Sequence, residues 1–293
     1  MTTFTQRRAA LKAALQKGLV IAPGVFDGIS TRVADRMGFT ALYMTGYGTV
    51  ASRLGLADAG IATYTEMAAH ARMIAGITAT PLIADADTGY GGMLNVQYTV
   101  RGYEEAGVCA IQLEDQEFPK KCGHMLGRRV VPIEDMVAKV KVAVASRNDA
   151  NFLIIARTDA RTTHGLDEAL RRAEAYAKAG ADVLFVESPE SVEEMQRIGK
   201  SFDLPLVANM VEGGRTPVLT AAELEEIGYG LAIYPALGFL AATHAMETAF
   251  TGLRENRSSV PPAAPLYNFQ AMSKLMGFDE VSAFDKQYRD ASP

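Results

Sequence analysis

The stretch Gly107-Val108-Cys109-Ala110-Ile111-Gln112-Leu113 sets the fold. A helical pattern, Val96 to Glu105, runs up to the glycine, and an apolar run without alternation follows at once. Glycine tolerates the left-handed conformation that closes a helix, and a continuous apolar run suits a strand covered on both faces. The same grammar recurs in Gly38-Phe39-Thr40-Ala41-Leu42-Tyr43-Met44, in Gly180-Ala181-Asp182-Val183-Leu184-Phe185-Val186 and in Gly228-Tyr229-Gly230-Leu231-Ala232-Ile233-Tyr234. Further apolar runs lie at Leu19 to Ala22, Pro81 to Ala84, Phe152 to Ala156 and Pro205 to Ala208. Eight strand candidates, separated by helical patterns such as Glu134 to Val144 and Leu166 to Ala179, predict a (β/α)8 barrel. An open doubly wound sheet is the rival, but no G-x-G-x-x-G follows the first strand candidate.

The barrel is expected to span residues 1–253. Arg254 to Pro265, with Pro261 and Pro262, reads as a linker, and a helical tail follows from about Asn268 to Tyr288. Its apolar positions Phe269, Met272, Leu275 and Met276 must bury against something, either the chain's own barrel or a partner subunit. The net charge of -5 comes without a basic block, which argues against nucleic acid. No run approaches the ~18 apolar residues of a membrane span. The first residues carry no apolar leader region, and two cysteines are too few for a disulfide framework. A cytoplasmic setting is the expectation.

In a parallel barrel the βα loops open at the C-terminal ends of the strands, so catalytic groups gather there. Reading off those ends gives Tyr43 with Thr45 and Gly46, Asp85 with Asp87, Glu114 with Asp115, Arg157 with Asp159, Glu187 and Asn209. Asp85, Asp87 and Glu114 offer oxygen only, which suits Mg2+ or Mn2+, in part through water. Arg157 and Glu187 suit the orientation of a substrate carboxylate, the bland alternative being a buried ion pair across the mouth. Beyond the fourth strand lies Lys120-Lys121-Cys122-Gly123-His124. Neighbouring cations favour a thiolate, the glycine lets the backbone approach a ligand, and a thiol so tuned can act as a general acid or base. One cysteine and one histidine do not make a zinc site. Cys109 reads as a core residue, and His70, His164 and His244 read as structural.

These residues resemble the isocitrate lyase and phosphoenolpyruvate mutase superfamily over nearly the whole chain. The resemblance rests on Lys120 to His124, on Asp85-Ala86-Asp87-Thr88-Gly89-Tyr90-Gly91, on Gln112-Leu113-Glu114-Asp115-Gln116 and on Ala156-Arg157-Thr158-Asp159-Ala160. The K-K/R-C-G-H element belongs to the carbon–carbon lyases of that superfamily. What the resemblance implies is a barrel whose last helix is swapped between subunits, a homotetramer, and an Mg2+ site for a 2-hydroxy dicarboxylate. Asp85 and Asp87 match its metal-binding aspartates, and Glu114 matches the acid that holds metal-bound water. Cys122 matches the general acid, in a loop with Lys120, Lys121 and His124, and Tyr43 is a candidate for the base. Thr45, Gly46 and Tyr47 match the carboxylate cradle; Gly123, Arg157, Glu187 and Asn209 fall at substrate-contacting positions. The implied reaction is retro-Claisen cleavage to pyruvate and a short carboxylic acid.

Two departures narrow the substrate. Leu240 stands where methylisocitrate lyases carry an arginine, and a third carboxylate left without a cation would be costly. Tyr47 stands where they carry glycine. Asn209 to Pro217 resembles the branch that includes 2,3-dimethylmalate lyase and the petal death protein, which favours a 2-alkylmalate. The alternatives are methylisocitrate cleavage, oxaloacetate hydrolysis, and, in another class, a non-catalytic metal and dicarboxylate binding protein. An intact thiol loop argues against the last, since binding needs no proton donor.

Overall fold

The computed structural model describes residues 2–123, 125 and 127–289. Eight strands run in chain order: β1 (Val20–Val25), β2 (Leu42–Met44), β3 (Leu82–Asp85), β4 (Ala110–Glu114), β5 (Leu153–Thr158), β6 (Val183–Val186), β7 (Val207–Asn209) and β8 (Leu231–Tyr234). Every ladder is parallel, in the order β6-β5-β4-β3-β2-β1-β8-β7. A single parallel bridge, Leu184 to Leu206, joins the two ends of that order. The expected (β/α)8 barrel is therefore the observed one, with all eight strands where the apolar runs place them.

The helices of the barrel are α1 (Phe4–Leu15), α2 (Gly28–Arg36), α3 (Gly46–Leu54), α4 (Tyr64–Ile77), α5 (Met93–Glu105), α6 (Ile133–Ser146), α7 (Arg161–His164), α8 (Leu166–Lys178), α9 (Val192–Gly199) and α10 (Ala221–Ile227). Their starts follow side-chain capping chemistry: Thr63 with Glu66 and Thr220 with Glu223 form capping boxes that satisfy otherwise orphaned backbone donors. Along each strand, alternate residues face opposite ways, and both ways are apolar. Leu42, Met44, Leu82, Ala84, Ile111 and Leu113 join the core beneath the helices. Tyr43, Ile83, Leu153, Ile155, Phe185, Leu231 and Ile233 fill the barrel interior, where Leu11 and Leu15 of α1 close the N-terminal end. Cys109 is fully buried in that interior.

The chain divides into two compact units, 1–238 and 239–293. The division expected at 253 falls inside α11 (Leu237–Asn256). The tail expected to be helical consists of α12 (Phe269–Leu275) and α13 (Phe278–Arg289), separated where Gly277 takes φ +90. Among the described residues of this second unit only Gly252 and Ala264 are buried, while Phe250, Phe269 and Phe284 are each more than 60% exposed. No helix among the described residues is long and apolar enough to cross a membrane.

Candidate active site

Strand register decides which side chains meet at the mouth. Pairing β3 with β4 sets Asp85 beside Gln112, and pairing β4 with β5 sets Glu114 beside Arg157. Asp87, two residues beyond β3, holds a left-handed φ of +47, which a side chain rarely adopts, and its amide donates to Asp85 Oδ1 at 2.9 Å. Lys120 reaches in from the following loop, pairing with Asp58 and, at 2.7 Å, with Asp87 Oδ1. All of these groups are buried.

Four carboxylates, Asp58, Asp85, Asp87 and Glu114, thus act on one ammonium. Burial works against the Lys120 charge, yet Asp87, Glu114, Asp85 and Asp58 together hold its pKa well above the usual range. The acids pay in the opposite sense. Burial, offset in part by Lys120 and reinforced by Asp85 and Asp58, pushes the Asp87 carboxyl up to about 7. Burial also raises Asp85, and it raises Glu114 well above the carboxylate range. Glu114 Oε1 is buried without a hydrogen-bond partner. Excess buried negative charge and an orphaned oxygen fit a hard divalent cation. Among the described residues no three of His, Cys, Asp and Glu form a ready-made ligand cluster.

Arg157, on β5, sits in the middle of the mouth. Its Nε and Nη2 donate to the two oxygens of Asp159 at 2.9 and 2.8 Å, its Nη1 lies 3.3 Å from Glu187, and its guanidinium lies over the Phe185 ring. Asn209 Nδ2 donates to Glu187 Oε2 at 3.0 Å. Thr45 caps α3 by accepting from the Gly48 amide, and Gly46 and Tyr47 stand in the first turn, a helix start suited to an anion. A Cβ on Gly46 would come within 2.5 Å of Asp85 Oδ2, so only glycine brings this backbone against the acids. Tyr47 is 43% exposed. The Tyr43 phenol donates to Gln112 Oε1 at 3.0 Å, and burial followed by the Asp85 charge raises its pKa well above 10. In this setting it is a donor; the base role implied by resemblance needs positive charge near Asp85.

The thiol loop comes down on this cluster. Gly123 is buried so closely that a Cβ would collide with Arg157 Nη2 and lie 2.8 Å from Glu187 Oε2. Lys120 is tied to the acids, Gly123 is pressed on Arg157 and Glu187, and half-buried Cys122 lies between them. Lys121 instead points outward, its Nζ donating to the Gly127 carbonyl. His124 lies outside the described residues. Of the other histidines, His70 is buried with Nε2 on the Phe26 carbonyl, in keeping with a structural role.

Sequence reading missed Asp58, which lies in the loop after α3 with no strand end to mark it. It also passed over Gln112, although a lone amide inside an apolar strand was a visible sign of an inward polar contact.

Similarity to known proteins agrees with this geometry. The sequence profile of the family described as phosphoenolpyruvate phosphomutase matches residues 11–254. The chain is 49% identical to 2,3-dimethylmalate lyase of Eubacterium barkeri, over 98% of this chain and 99% of that one. It is 40% identical to 2-methylisocitrate lyase of Aeropyrum pernix, over 93% and 87%. A solved structure of oxaloacetate acetylhydrolase in complex with 3,3-difluorooxalacetate superposes with a TM-score of 0.93 at 34% identity, covering 98% of both chains. The chain belongs to the phosphoenolpyruvate mutase and isocitrate lyase superfamily, and within it to the carbon–carbon lyases.

Proposed function

We propose that this protein cleaves a 2-alkylmalate, such as 2,3-dimethylmalate, to pyruvate and a short carboxylic acid. The observation that carries the reading is the bracketing of Cys122 between a lysine paired with Asp58 and Asp87, in the field of Asp85 and Glu114, and a glycine packed on Arg157 and Glu187. A proton donor stands beside a site for hard cations and carboxylates. Asp85, Asp87 and Glu114 would hold Mg2+ or Mn2+, with Asp58 and Lys120 around them. When bound, such a cation supplies charge stabilisation at the hydroxyl and carboxylate oxygens of the substrate. The α3 amides and Arg157 orient the substrate carboxylates. Tyr43, ionised to its phenolate under a cation's charge beside Asp85, would take the hydroxyl proton, the electron pair of the C2–C3 bond passes to C3, and Cys122 protonates C3 and is left as the thiolate. For 2,3-dimethylmalate the products balance as pyruvate and propanoate.

A tricarboxylate such as methylisocitrate would need one more cation. Of the buried cations described at the mouth, Lys120 pairs with Asp58 and Asp87 and Arg128 with Asp159, while Arg157 already serves the carboxylates of a dicarboxylate and leaves none for a third. Leu240 supplies none. The exposed apolar faces of α11 to α13 support a homotetramer in which these helices pack on neighbouring subunits, checked by light scattering of the purified protein. A half-buried reactive thiol suits the reducing cytoplasm.

The test is a substrate panel. Purified protein with Mg2+ should release 2-oxo acid from 2,3-dimethylmalate with a kcat/KM at least ~10²-fold above that for 2-methylisocitrate, because an unpaired carboxylate in a closed site costs several kcal/mol. Oxaloacetate should be a poor substrate, and excess EDTA should abolish turnover until Mg2+ or Mn2+ is restored. Faster cleavage of 2-methylisocitrate, or full turnover in EDTA, would sink the reading.

A further inference from the structure

The segment between β4 and α6 is a stem with a tip. Glu117 donates its amide to the Arg129 carbonyl and Val131 donates to the Asp115 carbonyl, each at 2.9 Å, while Gln116 and Val130 form an antiparallel bridge. The Gln116 side chain then clasps the Lys121 backbone twice, donating to its carbonyl at 2.8 Å and accepting from its amide at 2.9 Å. Cys122 lies beyond the clasp, so the stem alone does not fix where its thiol sits. Proton transfer to a carbanion needs that position held to a fraction of an ångström.

Arg128, at the end of the tip, is 1% exposed. Its Nη1 donates to Asp159 and its Nη2 to Thr162, with Ser188 Oγ at 3.5 Å. The same Asp159 carboxylate receives Nε and Nη2 of Arg157, and its amide is tied to Asp115 Oδ1 at 2.8 Å. One carboxylate therefore carries two guanidiniums, one from the barrel wall and one from the thiol loop. On the other side of the tip, Ser188 Oγ lies 2.9 Å from the Gly123 carbonyl and 3.1 Å from Glu187 Oε1, two acceptors for one proton. Ser188 keeps a left-handed φ of +57 to do so, a conformation that costs a residue with a side chain about 1 kcal/mol or more.

We propose that Arg128 is a positioning residue for Cys122: through Asp159 it seats the thiol loop on the same carboxylate that aims Arg157. Proton delivery and substrate orientation then share one anchor. The proposal rests on the reading of Cys122 as the proton donor. Removing Arg128 leaves Asp159 with both bonds from Arg157, so no buried acid is stripped of its partner.

The experiment uses the full-length, Mg2+-loaded enzyme. In Arg128→Met, kcat for 2,3-dimethylmalate should fall on the order of 10²-fold with KM little changed, the scale of a misplaced catalytic group. Iodoacetamide should alkylate Cys122 several times faster than in wild type. Cys109 is an internal control, since it is fully buried and its thiol is pushed up to about 11 by burial. Arg128→Lys should recover part of both effects, and it carries the same test if Arg128→Met fails to fold. Ser188→Gly, which tolerates the φ but drops the hydroxyl, should also speed alkylation. Unchanged alkylation in the Arg128 variants, or faster alkylation with an unchanged kcat, overturns the proposal. Wild-type turnover by Cys122→Ser would remove the proton-donor reading, while the alkylation rates still decide whether Arg128 seats the loop.

Discussion

The two ends of the barrel treat buried charge differently. At the closed N-terminal end, Arg8 on α1 is buried and fully answered: its Nη1 lies 3.3 Å from Asp149, its Nε donates to the Val108 carbonyl, and its Nη2 donates to that of Glu104. Glu104 in turn accepts from the amides of Asn148 and Asp149. At the open end, Asp58 and Asp87 share Lys120, Glu114 reaches Arg157 with one oxygen at 3.5 Å and keeps the other without a partner, and Asp87 holds a strained backbone. Charge placed for stability is paired and hydrogen-bonded. Charge placed for function is left unbalanced until a ligand completes it.

Substitutions at the two ends should therefore fail in different ways, and the two cysteines give the largest contrast. Cys122→Ser should lower kcat by roughly 10²-fold or more, the scale of a lost general acid, with the melting temperature unchanged. Cys109→Ser places a hydroxyl in the barrel interior and should instead lower the melting temperature while leaving kcat of the folded enzyme intact. Turnover and thermal melts of both variants check this, and equal kcat losses would erase the distinction.

Arg8→Met sharpens the comparison at the closed end. It strips the Val108 carbonyl of its donor, while the Glu104 carbonyl keeps the Gly107 amide; a buried carbonyl left unpaired costs about 1–3 kcal/mol. Denaturant unfolding should show a loss of that order, and kinetics on the folded fraction should be those of wild type. A selective rise in KM would show that the closed end also serves the site.

How much of this was legible in sequence followed from which interactions are local. The eight strands could be read because each is a short apolar run, all but Phe152 to Ala156 with a glycine or proline at or just before its start, a signal contained within about seven residues. The strand-end acids could be read because barrel topology fixes where a strand end must lie. Asp58 could not, since its partner Lys120 is distant along the chain and only the folded loops bring them together. Arg128 and Ser188 were equally hidden: Arg128 lies on the loop itself, far from any strand end, and Ser188 follows Glu187 at the end of β6 as an uncharged hydroxyl whose contact with the Gly123 carbonyl only the folded loop reveals.

The imbalance at the open end is tested most directly by the stability of the metal-free protein. The Asp87 carboxyl titrates higher in the folded state, at about 7, than in the unfolded chain, near 3.9. Its ionisation therefore opposes folding, and the metal-free protein should lose stability as pH rises from about 4 to 7. Asp87→Asn removes that charge and leaves Lys120 paired with Asp58. In EDTA at pH 8 the variant should melt a few degrees above wild type, as expected for a gain of about 1–2 kcal/mol. Saturating Mg2+ should raise the wild-type midpoint but hardly move that of the variant. A variant that melts below wild type in EDTA, or a wild-type protein indifferent to Mg2+, would contradict a mouth built to hold a divalent cation.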